Sequence, residues 1–276
     1  MVNVDLHLHT TYSDGTLSPN SLVQLALKKN LQIISITDHD CTDGIDEAIV
    51  ASLDKNLTVI PGIELNTDTE DGEIHILGYF IDYQNKDLQK LLLECRNSRV
   101  ERAKMMVEKL NSLGINIQWA RVESLAGYGA IGRPHIAKAM LEVKAIRTFQ
   151  EAFDKYIGRN GIAYIERFRL NVFEAIETIR EYHGIPVLAH PGYIKNLDEL
   201  LPKLIKSGLK GIEVFYANYD TNTINRLKNI ASKYELIPCG GSDYHGIKTK
   251  TEKLPGALGP PQESVDKLIE AKNQQI

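Results

Sequence analysis

Cysteine is scarce in this chain: Cys41, Cys95 and Cys239 are the only three among 276 residues, widely separated and without a CxxC pair. That excludes a disulfide framework and a thiolate zinc knuckle. Long apolar runs are missing too. Nowhere do about eighteen apolar residues follow one another, the length a membrane-spanning helix needs. The N-terminal MVNVDLHLHTTYSDG has no basic stretch followed by an apolar one, the pattern of a secretory signal. The expected setting is therefore cytoplasmic, away from membranes. Positive charge is not in excess either: 32 Lys plus Arg stand against 36 Asp plus Glu, for a net charge of −4. No overall field would draw the chain to long duplex DNA, so an anionic ligand must be held locally. Nothing in the text implies an obligate protein partner.

What is present is the composition of an ordinary globular fold, 43% hydrophobic and 25% charged. Short β-branched runs recur at 2–8, 32–37, 57–61, 73–80, 185–190, 211–216 and 236–240, and read as buried strands. Helical patterns lie between several of them. After Ser18, an N-cap with Pro19 at the first helical position, Leu22, Leu25 and Ala26 share a face, and similar stretches cover 44–55, 171–183, 197–206 and 220–234. The alternation predicts an α/β fold with a parallel sheet. From 87 to 168 it gives way to helical text, with Leu88, Leu91, Leu92 and Cys95 in register and a glycine-rich joint at GYGAIGRPH. This stretch is expected to be a helical insertion, large enough to cap a barrel, which leaves 1–86 and 169–276 as the barrel domain. PGALGPPQE near the C-terminus reads as a turn or tail.

The histidines carry the main chemical signal. His7 and His9, two apart at the end of the first strand, point to one face; Asp14 follows in the loop. His39 ends the second strand in TDHD, Glu64 follows the third in PGIE, His75 lies in the fourth, His190 closes LAHPG, and Asp243 and His245 follow the last strand in GGSDYH. In a parallel α/β barrel the C-terminal ends of the strands converge on one rim. Scattered structural histidines would fall on helices and loops as often, yet only His135 and His183 lie elsewhere. Imidazoles and carboxylates without thiolates suit manganese, iron or zinc, and nine ligand-type residues are too many for one tetrahedral ion. Two or three divalent ions are implied, with manganese first. They would make the rim an anion trap suited to phosphate esters.

DLHLHTTYSDGTLSP, TDHD, HILGYF, AHPG and GGSDYHG together resemble the PHP family, the polymerase and histidinol phosphatase metallo-phosphoesterases, in order and over nearly the whole chain. GRPHIA inside a helical insertion looks like the branch of 3′,5′-nucleoside bisphosphate phosphatases, some of which also trim short RNA from the 5′ end. The resemblance implies a distorted, TIM-like (β/α)7 barrel and a trinuclear site whose ligands are the nine residues above. It further implies that Glu64 bridges two ions and holds the hydroxide between them, with His7, His9 and Asp243 on one ion, His75 and His190 on another, and Asp14, His39 and His245 on the third.

Several residues admit two readings. Arg133 and His135 of GRPH are suited to grip a substrate phosphate; otherwise they are an exposed arginine and a helix-start histidine. Glu213 is a buried acceptor behind a ligand or a solvated rim carboxylate. Asp38 and Asp40 are expected to orient His39 and cap the next helix. His183 reads as a last-turn residue before a C-cap glycine, and Tyr216 and Tyr219 as packing residues that could stack on a base. Arg96, Arg99, Arg102 and Lys104 form a solvated face or a short RNA track.

The expected activity is removal of the 3′-phosphate from a 3′,5′-nucleoside bisphosphate, such as 3′-phosphoadenosine 5′-phosphate to AMP, extending to short RNA. Histidinol-phosphate phosphatase is an alternative within hydrolases, and a non-catalytic, metal-stabilised binding module an alternative outside them.

Overall fold

The computed structural model describes residues 3–69, 72–126, 131–166, 170–247 and 251–275. By its internal contacts the chain divides into two units, Met1–Gln89 with Leu170–Ile276, and Lys90–Arg169. Two expectations fall outside the described residues: the 168/169 boundary, and positions 127–130 of the glycine-rich joint.

The first unit is built on seven strands in the order of the sequence: β1 (Val4–Leu8), β2 (Ile33–Ile36), β3 (Thr58–Thr69), β4 (Gly72–Tyr79), β5 (Ile185–Leu188), β6 (Gly211–Tyr216) and β7 (Ile237–Gly241). The sheet curls until its ends meet at one rim. There the Asp243 N–H donates to the His7 carbonyl (2.9 Å) and the His9 N–H to the Tyr244 carbonyl (3.1 Å). The result is a nearly closed seven-stranded barrel. Every residue of β1 is buried, as a strand covered on both faces requires.

One strand departs from the expected parallel sheet. β4 runs antiparallel to both β3 and β5, while the other pairings are parallel. Only two residues separate β3 from β4, too few for the crossover helix that a parallel pair needs. The reversal puts the N-terminal end of that strand at the rim, and His75, in its first half, reaches it. Glu64 also differs from expectation: β3 continues to Thr69, so Glu64 lies inside the strand and bridges to His39.

Helices cover the outside of the sheet. In α1 (Pro19–Lys28) the Ser18 side chain accepts from the Ser21 N–H, satisfying one of the donors a helix start leaves open. Leu22, Val23 and Ala26 of α1 and Ala48 of α2 (Ile45–Ser52) share a cluster with Leu8, Ile34 and Ile36. At roughly 1.5–3 kcal/mol per large buried side chain, such faces hold the shell in place. The C-terminal segment is more than a tail: Pro261 leads into a helix, Gln262–Asn273, whose Val265 and Leu268 are buried beside Val4, Leu6 and Ile237.

His183 differs as well. The helix Val172–Glu181 ends before it with Tyr182, not Gly184, at the C-cap, and His183 takes the left-handed backbone conformation (φ 60°).

The second unit has a core of its own. α3 (Lys86–Ser112), α4 (Trp119–Ala126) and α5 (Arg133–Glu142) contribute Met106, Val107, Leu110, Val122, Ile136 and Met140 to it.

Candidate metal centre

Glu64 stands at the middle of the rim, fully buried. Its Oε2 lies 3.1 Å from His7 Nε2, 3.3 Å from His9 Nε2 and 3.1 Å from His39 Nδ1; its Oε1 lies 2.9 Å from His75 Nδ1 and 3.1 Å from His190 Nε2. Five imidazoles, two from β1 and one each from β2, β4 and β5 or the residues just after them, thus surround one carboxylate. Asp243 Oδ1 is 3.0 Å from His9 Nε2 and 3.3 Å from His7 Nε2. Asp14 Oδ1 is 3.3 Å from His245 Nε2, and its Oδ2 is 3.7 Å from His39 Nε2. All nine residues of the rim constellation meet in one place.

Their donor atoms fall into three overlapping groups among the described residues: His9, Asp14, His39 and His245; His7, His9, Glu64 and Asp243; and His39, Glu64 and His75. His190 lies outside these groups, although its Nε2 touches Glu64.

Divalent cations fit this donor set. The buried nitrogens His9 Nε2, His39 Nδ1 and His75 Nε2 make no hydrogen bond of good geometry, which is costly for polar atoms away from water, and a cation is the partner to which an imidazole lone pair donates. Hydrogen bonds on the far side of two rings set their tautomers. Glu213 Oε1 accepts from His7 Nδ1 (3.0 Å), and the Asp243 carbonyl accepts from His245 Nδ1 (2.9 Å). Nε2 of both rings is left facing the rim, the atom a cation would take once any proton there is displaced, as is usual for metal-binding histidines.

The electrostatics follow from crowding. Burial opposes charge on His7, but Glu213, Asp243 and Glu64 outweigh it and hold its pKa well above the ordinary value. His9 is raised to about 10 against the same burial, through Asp243 and Glu64. Burial lowers His39 to about 3, so that ring is neutral. Glu64, Asp14 and Asp243 resist the upward push of burial because the surrounding imidazoles hold them well below the carboxylate range.

A scaffold of buried polar residues supports the rim. Glu213 is fully buried and uses both oxygens, Oε1 on His7 and Oε2 on the His190 N–H (2.7 Å). His190 (φ 31°) and Asp243 (φ 52°) lie in the left-handed region, a conformation costing about 1–3 kcal/mol each that persists only where the surroundings enforce it. Neither Asp38 nor Asp40 caps α2. Asp38 accepts from the Thr10 N–H (2.7 Å), Thr10 Oγ1 (2.6 Å) and Ser13 Oγ (2.5 Å), which fixes the loop carrying Asp14. Asp40 receives the Asn66 N–H and side-chain amide, and Gly44 is the residue at the start of α2.

The sequence reading overlooked Asp5, fully buried with its pKa raised to about 6 by that burial. It accepts from the N–H groups of Ser242 (3.0 Å) and Gly256 (2.8 Å) and so ties β1 to the segment carrying Asp243. Its signal was available: in VDLHLH it shares a face with His7 and His9 by period two.

In the second unit, Arg133 and His135 occupy the first turn of α5. His135 Nδ1 accepts from the Gly132 N–H (3.1 Å), and the Arg133 guanidinium lies 5.7 Å from the centre of the Phe153 ring. Arg102 Nε donates to the Ile165 carbonyl (2.7 Å), with the guanidinium over Tyr164, so this arginine is tied into the fold rather than solvated.

Comparison with known proteins places the chain. The model of the PHP domain matches residues 5–184. This chain belongs to the PHP family. A 5′-3′ exoribonuclease Rnm of Salmonella typhimurium is 32% identical over 247 residues, which cover 87% of this chain and 84% of the relative. A 3′,5′-nucleoside bisphosphate phosphatase of Chromobacterium violaceum is 28% identical, with 89% of this chain and 88% of the relative covered. A Bifidobacterium adolescentis structure assigned to the metal-dependent phosphoesterases superposes with a TM-score of 0.81 at 33% identity, over 96% of this chain and 95% of the other. The PHP barrel described above is accordingly that of a metal-dependent phosphoesterase, a hydrolase of phosphoester bonds. Divalent metal ions are the cofactors its rim and its relatives support.

Proposed function

We propose that this PHP enzyme removes the 3′-phosphate from 3′,5′-nucleoside bisphosphates, converting 3′-phosphoadenosine 5′-phosphate to AMP, with two or three Mn2+ ions held by His7, His9, Asp14, His39, Glu64, His75, His190, Asp243 and His245. The observation that carries this reading is the gathering of the other eight donor residues around Glu64, five imidazoles within 3.3 Å of its carboxylate. The named phosphatase relative supplies the substrate class. Bound divalent ions would supply charge neutralisation at the phosphoryl oxygens and activate the attacking water. The chain's own residues do the positioning. Glu64 spans the donor groups, Glu213 fixes the His7 ring and the His190 backbone, and Asp38 holds the Asp14 loop.

The helical insertion over 87–168 is assigned as a cap, and Arg133 and His135 to a phosphate of the substrate. With His135 Nδ1 accepting from Gly132, a neutral ring carries its proton on Nε2, a donor for a phosphate oxygen, while the Arg133 guanidinium matches phosphate bidentately. Trimming of short RNA from the 5′ end is the second reading, favoured by the 32% identity to an exoribonuclease.

The test is a panel of 3′,5′-nucleoside bisphosphates, short 5′-phosphorylated RNA and histidinol phosphate, offered to chelated protein reloaded with Mn2+, Fe2+ or Zn2+. Release of inorganic phosphate with the nucleoside 5′-monophosphate as product is expected, and it should vanish in His9→Ala while circular dichroism stays folded. Turnover of histidinol phosphate alone would overturn the substrate reading.

A further inference from the structure

Beside the His190 corner lie three tyrosines, of which two support donors of the rim and the third, Tyr193, has a place that the positioning of the nine donors does not explain. Tyr216 is buried, donates its hydroxyl to Asp243 Oδ2 (2.9 Å) and stands edge-on to His190 (5.9 Å). The Tyr219 hydroxyl accepts the Gly192 N–H (2.6 Å), and its ring lies 4.9 Å from that of Tyr216. The packing role expected for these two therefore holds, and their hydroxyls are committed to the fold. Tyr193 rests on both, edge-on to Tyr216 at 6.1 Å and to Tyr219 at 5.6 Å, and the residue is 65% exposed.

An exposed aromatic on a surface turn ordinarily has freedom to move. This one is held from below. The turn Pro191–Tyr193 starts at His190, whose N–H is bound by Glu213, and is pinned again where Gly192 meets Tyr219. A Cβ at Gly192 would come within 2.6 Å of Tyr219 ring carbons, so the close approach of turn and ring depends on glycine. The backbone that sets His190 at the rim thus also sets Tyr193.

We propose that Tyr193 is a stacking platform for the nucleobase of the substrate, with Tyr216 and Tyr219 as its supports. This rests on the nucleotide reading above. Tyr216 neighbours both His190 (5.9 Å) and Tyr193 (6.1 Å), so one ring links the platform to the rim, and in a nucleotide one ribose links phosphate to base. Stacking accepts any base, because every base has a π-face; the platform therefore selects for a nucleobase rather than for one particular base. A platform already fixed in the free protein loses little entropy when it is used.

The experiment compares the Mn2+-loaded full chain on adenosine 3′,5′-bisphosphate and on ribose 3,5-bisphosphate, which lacks a base. In the wild type the nucleoside substrate should have a KM about ten-fold lower, within the usual range for one stacked base. Tyr193→Ala should erase that ratio with little change in kcat, and Tyr193→Phe should keep it. Equal KM values in the wild type, or a ratio that survives in folded Tyr193→Ala, would overturn the platform alone. Absence of nucleoside bisphosphate turnover by the wild type, with other phosphoesters cleaved, would overturn the substrate reading and the platform with it.

Discussion

Glu213 makes no approach to the centre of the rim, yet it controls two residues that do. Its carboxylate bonds the His7 ring on one side and the His190 backbone on the other, both at a fully buried site. Removing such an outer partner typically costs 10–100-fold in metal affinity or activity. Glu213→Gln keeps the volume and should lose that much in Mn2+ affinity, read by calorimetry, with circular dichroism unchanged. An unaltered affinity would show that His7 needs no partner. The crowded imidazoles also predict a pH dependence for the metal-free protein. His9 is raised from its ordinary 6.5 to about 10. A raised histidine contributes stability in full below pH 6.5 and loses it as the pH climbs through about 10. The chelated protein should therefore melt at progressively lower temperature across that window. Because a cation must displace the same proton, Mn2+ binding at neutral pH should release protons, measurable as a dependence of binding heat on the buffer's ionisation enthalpy.

Among the elements, β7 and β1 approach closely at the rim. Gly241 ends β7 where the barrel closes, and a Cβ there would lie 2.6 Å from His7 Cβ and 2.7 Å from Asp5 Oδ1. Gly241→Ala should destabilise by about 1–3 kcal/mol, as overpacking of a filled core does, and should also weaken metal binding because the atoms it displaces belong to His7. Thermal unfolding with and without Mn2+ separates the two effects; a variant as stable as the parent would mean that β1 can retreat freely. The strands were legible from their β-branched runs, and α1 from Ser18 and Pro19. The direction of β4 was not, since strand alternation looks the same whichever way the neighbour runs. Nor was the C-terminal helix, whose start is hidden behind prolines and whose Val265 and Leu268 acquire meaning only against β1 and β7.

For the whole molecule, the rim that gathers the nine donors is also a point of closure. Asp5, Asp243 and Glu64 join segments more than a hundred residues apart, so ions bound there brace the barrel. A ligand at about a hundred times its Kd stabilises by about 2.7 kcal/mol per site, and for a chain of this size each kcal/mol shifts the Tm by about 2–4 °C. Chelation should lower the Tm by at least about 5 °C, and Mn2+ should restore it; no shift would mean that the donors hold no ion in the folded protein. None of the described helices is long and apolar enough to cross a membrane.

The sequence by itself determined the kinds of donor and their placement at strand ends, because period-two alternation and the absence of thiolates are local properties. It determined the run of strands and the change to helical text after residue 86 for the same reason. The tertiary structure alone decided that Glu64 lies among five imidazoles, that Glu213 and Asp5 stand behind them, and that Tyr193 is held up by two other rings. Those relations are distances between residues far apart in the chain, fixed by how a curled sheet closes, and no local pattern encodes them.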